Sequence, residues 1–280
     1  MNSPLHERIE AQFHALGRAQ QKAATWLMKN THHAVFMSIK EIAHASEVGD
    51  ATVHRLFMDL NYSSFAEAKK EMQQNAHSLR TIRRLERSQQ APPASWMKKA
   101  LEVELYNFQL TFTAALEENI DKAADYLWQA SKIYVAGWKM TASVAHSLSY
   151  ALHFVFGNVT VIESASSLTE HVANMKEDCV LVAMQFPRYS KPITKLVQEA
   201  NKAGATCILF ADSPVAPSVS YCDVSLVSAT ESPGFLDSYV TPLLISQMII
   251  QVIAHKHPDF VKQRLHKHEQ LFSTFGIFRH

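Results

Sequence analysis

The sequence predicts a two-domain protein, in which a small all-α domain precedes an α/β domain with a doubly wound parallel sheet. Apolar residues in the first third recur at spacings of three and four, which is typical of amphipathic helices. From Lys132 onward, β-branched runs that are apolar on both faces alternate with helical segments, as in a parallel sheet covered by helices. The segment 88–95 contains two consecutive prolines, which interrupt helices. We therefore place the first domain at 1–87, a linker at 88–95 and the second domain at 96–280.

The composition describes a globular protein and argues against several other classes. Hydrophobic residues make up 47% of the chain and charged residues 19%, which is enough apolar surface to fill a core. A net charge of +1 gives no global attraction to nucleic acid, so DNA binding must come from a local cluster of charge. The three cysteines are widely spaced and predict neither a disulfide framework nor a zinc site. Without a signal-peptide pattern or a bilayer-spanning apolar stretch, we expect a cytoplasmic protein with no membrane partner and no cofactor.

The first region predicts a long helix followed by a tight pair of helices. The long helix covers His6–Asn30 with a continuous apolar stripe. The next helix begins after Ser38, a short connection follows at Val48 and Gly49, and Asp50 is placed to cap the helix after it. The apolar face of that last helix consists of Ala51, Val53, Leu56, Phe57 and Leu60. This layout is typical of a helix-turn-helix, whose second helix enters a DNA major groove, although an ordinary packed helix pair has the same spacing.

Three motifs follow one another in this pair: Ile39-x-x-Ile42-Ala43, Val48-x-x-Ala51-Thr52-Val53-x-Arg55 and Leu60-Asn61-Tyr62-x-x-Phe65-x-x-x-Lys69. Together they resemble the N-terminal domain of the RpiR/MurR-type bacterial transcriptional regulators. The resemblance implies a DNA-reading head that binds double-stranded operator DNA. In that head we expect major-groove contacts from Thr52, His54 and Arg55, and phosphate contacts from Ser38, Lys40 and Lys69. A basic segment between Lys69 and Arg87 supplies further local charge.

Departures from the family pattern support an alternative hypothesis, a protein that has kept its second domain but lost DNA binding. Gly49 replaces the usual serine of the turn, and Asn61 replaces the usual glycine. Met58 and Asp59 stand where basic residues are common. The fold is expected to survive these changes, since asparagine tolerates the left-handed conformation that is common after a helix.

The second region predicts two helices and then strands that alternate with helices. Two helical patterns fill the stretch from Trp96 to Ala130. The strands are predicted at Lys132–Gly137, Asn158–Ser164, Cys179–Phe186, Thr206–Asp212 and Asp223–Ser228. An apolar helix at Pro242–Ala254 is either core or a dimer interface. The histidines beyond it are interpreted as a solvated tail rather than a metal site: His255, His257, His266, His268 and His280.

Hydrogen-bond donors gather where the predicted strands end. Gly137–Thr141 follows the first strand, and Gln185–Lys191 follows the third. In a doubly wound sheet these ends form the ligand-binding edge, and the helices that begin there offer free N–H groups to an anion. Side-chain donors are added by Lys139, Thr141, Arg188, Tyr189 and Ser190. An ion pair or a strand end explains any one of these residues alone, whereas their convergence favours an anion site.

The order and spacing of these elements, from about Ser131 to His255, resemble the SIS (sugar isomerase) domain that follows the helix-turn-helix in the same regulators. The common loops of that domain are G-x-G-x-S after the first strand and S-x-S-G-x-T after the third. Here they are Gly137-Trp138-Lys139-Met140-Thr141 and Gln185-Phe186-Pro187-Arg188-Tyr189-Ser190, an F-P-R-Y-S variant. The resemblance includes the segment Glu231–Ser238. It implies a ligand site formed by Gly137, Lys139, Thr141, Pro187, Arg188, Tyr189, Ser190 and Glu231.

These features together predict a ligand-responsive transcriptional regulator. Its effector is expected to be a small anionic metabolite, a phosphosugar or another carbohydrate or organic-acid derivative. Palindromic half-sites favour a homodimer or homotetramer. The enzyme alternative is a sugar-phosphate isomerase, which needs a base beside a carbonyl. Glu163, Glu170, His171 and Glu231 are possible bases without a recognisable acid/base pair, and Pro192 stands where such enzymes commonly carry a glutamate. We therefore predict no catalytic residues.

Overall fold

The computed structural model describes residues 4–34, 37–89 and 95–278, and the chain divides into two units, Met1–Ala91 and Pro92–His280. The described part of the first unit is helical, and the second unit contains a parallel sheet with helices on both faces. The predicted fold class is confirmed. The division falls inside the segment predicted as a linker. No helix in the described ranges has both the length and the apolarity needed to cross a membrane.

The described residues of the first unit form α1 (Pro4–Gln12), α2 (Arg18–Ala34), α3 (Ile39–Ser46), α4 (Asp50–Asp59) and α5 (Phe65–Gln89). The predicted single helix over His6–Asn30 is wrong, because a 3-10 turn at Phe13–Ala15 separates α1 from α2. The Gly17 N–H donates to the Gln20 side chain at 3.0 Å, and the Gln21 amide donates to the Phe13 carbonyl at 3.0 Å. These bonds satisfy backbone groups at the break, so that apolar residues on both sides of it pack into one core.

Reciprocal capping bonds define the start of α3, whereas α4 begins at a residue without a side chain. The Ser38 hydroxyl accepts from the Glu41 N–H at 3.3 Å, and the Glu41 carboxylate accepts from the Ser38 N–H at 2.6 Å. The hydrogen bond from the Ser38 backbone lowers the pKa of Glu41. The prediction that Asp50 caps α4 is wrong, since Gly49 is the N-cap and Asp50 is the first helical residue. Because glycine has no side chain, α4 begins without a side-chain cap.

The second unit begins with α6 (Trp96–Thr111) and α7 (Ala114–Gln129), as predicted. The strands are β1 (Lys132–Ala136), β2 (Val159–Ile162), β3 (Cys179–Gln185), β4 (Thr206–Ala211) and β5 (Val224–Val227). All pairs are parallel and the order is β2-β1-β3-β4-β5. The direction of winding reverses between β1 and β3, and in doubly wound sheets ligands bind beyond the carboxyl ends of the strands at this point.

Helices cover both faces of this sheet: α8 (Ala142–Val155), α9 (Leu168–Val172), α10 (Lys191–Lys202) and α11 (Val240–Lys256). On one face, α7, α8 and α11 bury strand residues such as Val135 and Phe210. On the other face, α9 and α10 cover Leu181 and Leu209. Successive strand residues therefore enter opposite apolar layers, which explains why the strands lack a polar face.

The prediction of a solvated histidine tail is wrong for His257 and His268, which pack against the second unit at the start of α12 (Pro258–Phe275) and within it. The His257 ring stacks on Trp128 with the ring centroids 3.4 Å apart, and the His268 ring stacks on Phe154 at 4.2 Å. Arg264 Nε donates to the Val155 carbonyl at the end of α8, at 2.9 Å. These contacts dock α12 on the second unit. His255 and His266 are exposed, and His280 lies outside the described residues.

We expect Gly49→Ser to stabilise the first unit by about 0.3 kcal/mol, because a serine hydroxyl accepts a free N–H at the start of α4. Position 49 has room for a side chain, since an added Cβ would lie 4.0 Å from the Thr52 hydroxyl oxygen. Gly49→Ala is the matched control, because it adds the Cβ without an acceptor. Urea unfolding should separate the two variants by about 1 kcal/mol, and equal midpoints would contradict the capping argument.

Candidate functional site

The exposed side of α4 carries the residues predicted to read DNA. Val53 and Leu56 are buried in the core of the first unit. His54 and Arg55 are exposed, and Thr52 is half-buried beside them. Because α4 is the second helix of a helix-turn-helix, this exposed side is the one that can enter a major groove.

Arg8 of α1 holds the end of α4 in place. Its Nη1 atom donates to the Leu60 carbonyl at 3.0 Å and to the Asn61 carbonyl at 2.8 Å. Its guanidinium carbon lies 4.2 Å from the centre of the Tyr62 ring, and the Tyr62 hydroxyl donates to Glu71 of α5. Burial raises the pKa of Tyr62, so this hydroxyl remains a donor. This network fixes the direction of α4, the helix predicted to contact DNA. None of its contacts was predicted from the sequence.

The departures from the family pattern at the end of α4, Met58 and Asp59, both make contacts within the first unit. Met58 packs against the apolar core. Asp59 accepts a hydrogen bond from Gln20 Nε2 of α2 at 2.6 Å. The exposed carboxylate of Asp59 is therefore tied to α2 by a hydrogen bond on the surface of the unit.

The residues predicted to contact phosphate have different local partners. Ser38 caps α3, and Lys40 is exposed in the first turn of that helix. Lys69 Nζ donates to the Met37 carbonyl at 2.9 Å and lies 5.9 Å from the centre of the Phe65 ring. Lys69 thus supports the segment that leads into α3, and its phosphate contact stays a prediction. In the predicted basic segment, the side chains of Arg80, Arg83 and Arg87 lie outside the described residues.

In the second unit, the turn after β1 approaches its neighbours so closely that only glycine fits at position 137. A Cβ added to Gly137 would lie 2.8 Å from the Ala145 Cβ, 2.9 Å from the Met184 Cγ and 2.9 Å from the Thr141 carbonyl oxygen. Real Cβ atoms do not tolerate such distances. Gly137 therefore brings the end of β1, the start of α8 and the end of β3 together.

Two side-chain bonds hold the rest of this turn. Trp138 Nε1 donates to the Ile162 carbonyl at the end of β2, at 2.7 Å. Thr141 Oγ1 donates to the Trp138 carbonyl at 2.9 Å. Between them, Lys139 is exposed and has a positive φ of 57°.

The turn after β3 is held in a similar way. The buried Gln185 side chain donates to Thr194 Oγ1 at 2.7 Å and accepts from the Ser218 N–H at 3.0 Å. The Tyr189 hydroxyl donates to the Asp212 carboxylate oxygens at 3.0 and 3.2 Å. Arg188 is exposed and has a φ of 70°. Asp212, the residue directly after β4, was not among the predicted site residues.

The predicted ligand residues fall into two groups. Because β1 pairs with β3, the turns that contain Gly137, Lys139, Thr141, Pro187, Arg188, Tyr189 and Ser190 share one edge of the sheet. Glu231 follows β5, which is two strands away from β3 in the sheet order. The loop after Glu231 returns to this edge, where the Tyr239 ring packs on Phe186 with the ring centroids 5.3 Å apart.

Asn107 of α6 positions the loop that contains Glu231. Asn107 is fully buried; its Nδ2 donates to the Glu231 carbonyl at 2.8 Å, and its Oδ1 accepts from the Glu231 N–H at 3.1 Å. Thr111 Oγ1 accepts from the Ala229 N–H at 2.9 Å. Polar residues within a predicted apolar helix pattern were the only hint of these contacts in the sequence. They could not reveal their partners, which are more than a hundred residues away along the chain.

Two of the four possible bases named from the sequence, Glu170 and His171, have local partners in the structure. A hydrogen bond to its own backbone N–H lowers the pKa of Glu170, which makes this carboxylate a weaker base. The His171 ring contacts Tyr134, with the ring centroids 5.9 Å apart. The described residues contain no cluster of three or more histidine, cysteine or acidic side chains that could hold a metal ion.

Comparison with known proteins identifies both units. Residues 3–78 match the family described as helix-turn-helix domain, rpiR family, and residues 126–252 match the SIS domain family. The chain belongs to the RpiR family. It is an RpiR-type transcriptional regulator, with a helix-turn-helix that implies DNA binding and a SIS domain that implies binding of a small molecule.

Relatives of this RpiR-type chain cover most of its length. The HTH-type transcriptional regulator HexR of Pseudomonas aeruginosa is 24% identical over 250 residues, which span 88% of this chain and 87% of HexR. The fold is shared with NanR of Vibrio vulnificus, solved with ManNAc-6P, at a TM-score of 0.65, 18% identity and coverage of 97% and 98%. The sugar isomerase domain of an RpiR transcription factor from Sphaerobacter thermophilus gives a TM-score of 0.60 at 22% identity, covering 63% of this chain and 99% of that one.

We expect Gly137→Ala to destabilise the SIS domain by about 1–3 kcal/mol, because the added methyl group overpacks the junction of β1, α8 and β3. Gly234→Ala is the matched control, since its Cβ would lie 3.4 Å from a serine hydroxyl oxygen, an ordinary contact. The control should change the unfolding free energy by less than about 0.5 kcal/mol. Calorimetry of both variants measures the difference, and equal stability would contradict the packing argument.

Proposed function

We propose that this regulator binds a small anionic sugar derivative between β1 and β3 and that binding changes its affinity for operator DNA. The observation that carries the proposal is that two turns with exposed cations, Lys139 and Arg188, share one sheet edge with the N-termini of α8 and α10. Cationic side chains and helix N-termini both favour phosphate and carboxylate. The ManNAc-6P complex of NanR, which has the same fold, makes phosphosugars the first class to test.

Hydroxyl groups at this edge suit the sugar part of the ligand. The Thr141 and Tyr189 hydroxyls donate to protein carbonyl or carboxylate oxygens, and a hydroxyl oxygen that donates can also accept a hydrogen bond from a sugar hydroxyl. Ser190, directly before α10, makes no side-chain capping bond and is assigned to the ligand as a donor. Gly137 and Pro187 shape the two turns, and Glu231 belongs to the loop that completes the edge.

The site is proposed to bind its ligand without turnover. Isomerisation needs a base whose pKa suits proton transfer beside the carbonyl. Pro192 lies in the first turn of α10, at the place where a glutamate is common in SIS enzymes. The lowered pKa of Glu170 makes that carboxylate a poor substitute.

For the helix-turn-helix, we assign base contacts to Thr52, His54 and Arg55 and phosphate contacts to Ser38, Lys40 and Lys69. A regulator of this type reads two half-sites, so the functional form is a homodimer or a dimer of dimers. The loop at Glu231 is hydrogen-bonded to α6, and α6 is the first helix of the SIS domain after the segment 90–94. Through this helix, a change in the ligand loop reaches the chain that leads to the DNA-binding unit.

We expect Arg55→Ala to weaken operator binding by about 1–3 kcal/mol, the usual contribution of a good base contact. The operator is first obtained by selecting bound fragments from genomic DNA with the full-length protein. Binding of the variant is then measured by fluorescence anisotropy at several salt concentrations.

Arg18→Ala is the matched control, since Arg18 is an exposed arginine of the same unit that we do not assign to DNA. The control should bind within about 0.5 kcal/mol of the unmodified protein. An unchanged affinity for Arg55→Ala would remove Arg55 from the interface. Failure to select any sequence would overturn the proposed reading helix as a whole.

A further inference from the structure

Two cations at the proposed ligand-binding edge, Lys139 and Arg188, have a strained backbone conformation. Among the described residues, the non-glycine positions with positive φ are Glu47 (53°), Asn61 (61°), Lys139 (57°) and Arg188 (70°). Glu47 is the C-cap of α3, and Asn61 follows the C-cap of α4. The left-handed conformation is common at the ends of helices. Lys139 and Arg188 have no such explanation, since both lie in turns that lead from a strand towards a helix.

At both positions, glycine would adopt the positive φ without the steric strain that a Cβ atom causes. A Cβ disfavours the left-handed region, and glycine is the default residue there. The common SIS loops G-x-G-x-S and S-x-S-G-x-T have glycine at these same two positions. This chain places a lysine at one and an arginine at the other, so the charge is present despite the strain.

Neighbouring side chains hold each strained residue in place. Trp138, next to Lys139, is fixed by its bond to the Ile162 carbonyl at 2.7 Å. Tyr189, next to Arg188, is fixed by its bonds to Asp212 at 3.0 and 3.2 Å. Strained residues persist where the surrounding structure determines them in this way, and they cluster at binding sites.

The two cations lie in turns that follow neighbouring strands. β1 and β3 are paired, with Ala136 opposite Ala183; the first turn follows Ala136, and the second follows Gln185 at the end of β3. Both side chains are exposed. Asp212, an acidic residue at the end of the next strand, accepts from Tyr189. Two cations on separate turns offer two separate charge-assisted contacts to a ligand with two anionic groups.

We propose that Lys139 and Arg188 determine specificity for a sugar derivative with two anionic groups, one bound at each turn. A phosphorylated sugar acid and a sugar bisphosphate both have this chemistry, whereas a singly phosphorylated neutral sugar does not. The inference rests on the proposed function, because it assumes that the ligand occupies the edge between β1 and β3.

The test uses the full-length protein and matched pairs of probes. Glucose 6-phosphate is compared with 6-phosphogluconate, and fructose 6-phosphate with fructose 1,6-bisphosphate, by isothermal titration calorimetry. In at least one pair, the doubly anionic compound should bind at least about tenfold more tightly, because it gains one charge-assisted contact. The pair that shows the preference distinguishes a sugar acid from a bisphosphate.

Glycine variants provide a second test, in which the Tm and the preference for the doubly anionic probe are both measured. A purely structural role of Lys139 and Arg188 would not change that preference. Lys139→Gly and Arg188→Gly remove the strain and the charge together. Each should raise the Tm without ligand by about 2 °C and reduce the preference for the doubly anionic probe by about tenfold. Lys139→Ala and Arg188→Ala keep the strain, so they should reduce the preference without raising the Tm. Asn61→Gly is the matched control, and it should leave the preference unchanged.

The outcomes distinguish failure of this inference from failure of the proposed function. If singly and doubly anionic probes bind equally well, the proposed function stands and the assignment of two anionic groups is overturned. That assignment is also overturned if the glycine variants keep the preference. If none of the four sugar phosphates binds, and inorganic phosphate and pyrophosphate do not bind either, then the proposed anion site is itself overturned.

Discussion

The close contact at Gly137 is the constraint on which the ligand-binding edge of the SIS domain depends. With no side chain at this position, the end of β1 packs directly against Ala145 of α8 and Met184 of β3. The turn that follows is therefore held beside the turn after β3, and the N-termini of α8 and α10 lie at the same edge. Because the backbone of the two turns is already fixed, the charge at this edge is determined by the individual side chains that the turns carry.

The DNA-binding unit depends on a comparable constraint, the fixed direction of α4. Arg8 of α1 holds the end of this helix, and Gln20 of α2 holds Asp59 near it. Met58 is part of the apolar core. The departures from the family pattern at these two positions are thus explained by contacts within the first unit, core packing for Met58 and a surface hydrogen bond for Asp59. The exposed side of α4, with His54 and Arg55, remains available to DNA.

Periodicity predicted the strands to within about two residues and most of the helices, because burial on alternating or helical faces leaves a direct pattern in the sequence. It failed where local bonds outweigh the pattern. Between α1 and α2, side-chain bonds to Phe13 and Gly17 satisfy backbone groups at the break in the helix, and at Gly49 the cap is a residue without a side chain. It also failed for α12, where His257 before the helix and His268 within it stack on Trp128 and Phe154 of distant segments. In the candidate site, sequence motifs indicated the residues of the two turns. The bonds that hold them, such as Asn107 with Glu231, join positions far apart in the chain and leave no local signal.

Regulation by this protein requires a coupling free energy between ligand binding at the SIS domain and operator binding at α4. The most direct test measures operator affinity with and without a saturating sugar phosphate, and the affinity for that sugar phosphate with and without operator. We expect both affinities to change by the same factor, about 5–150-fold for a typical coupling free energy of 1–3 kcal/mol. Operator affinity that stays constant while the sugar phosphate binds would contradict the proposed coupling.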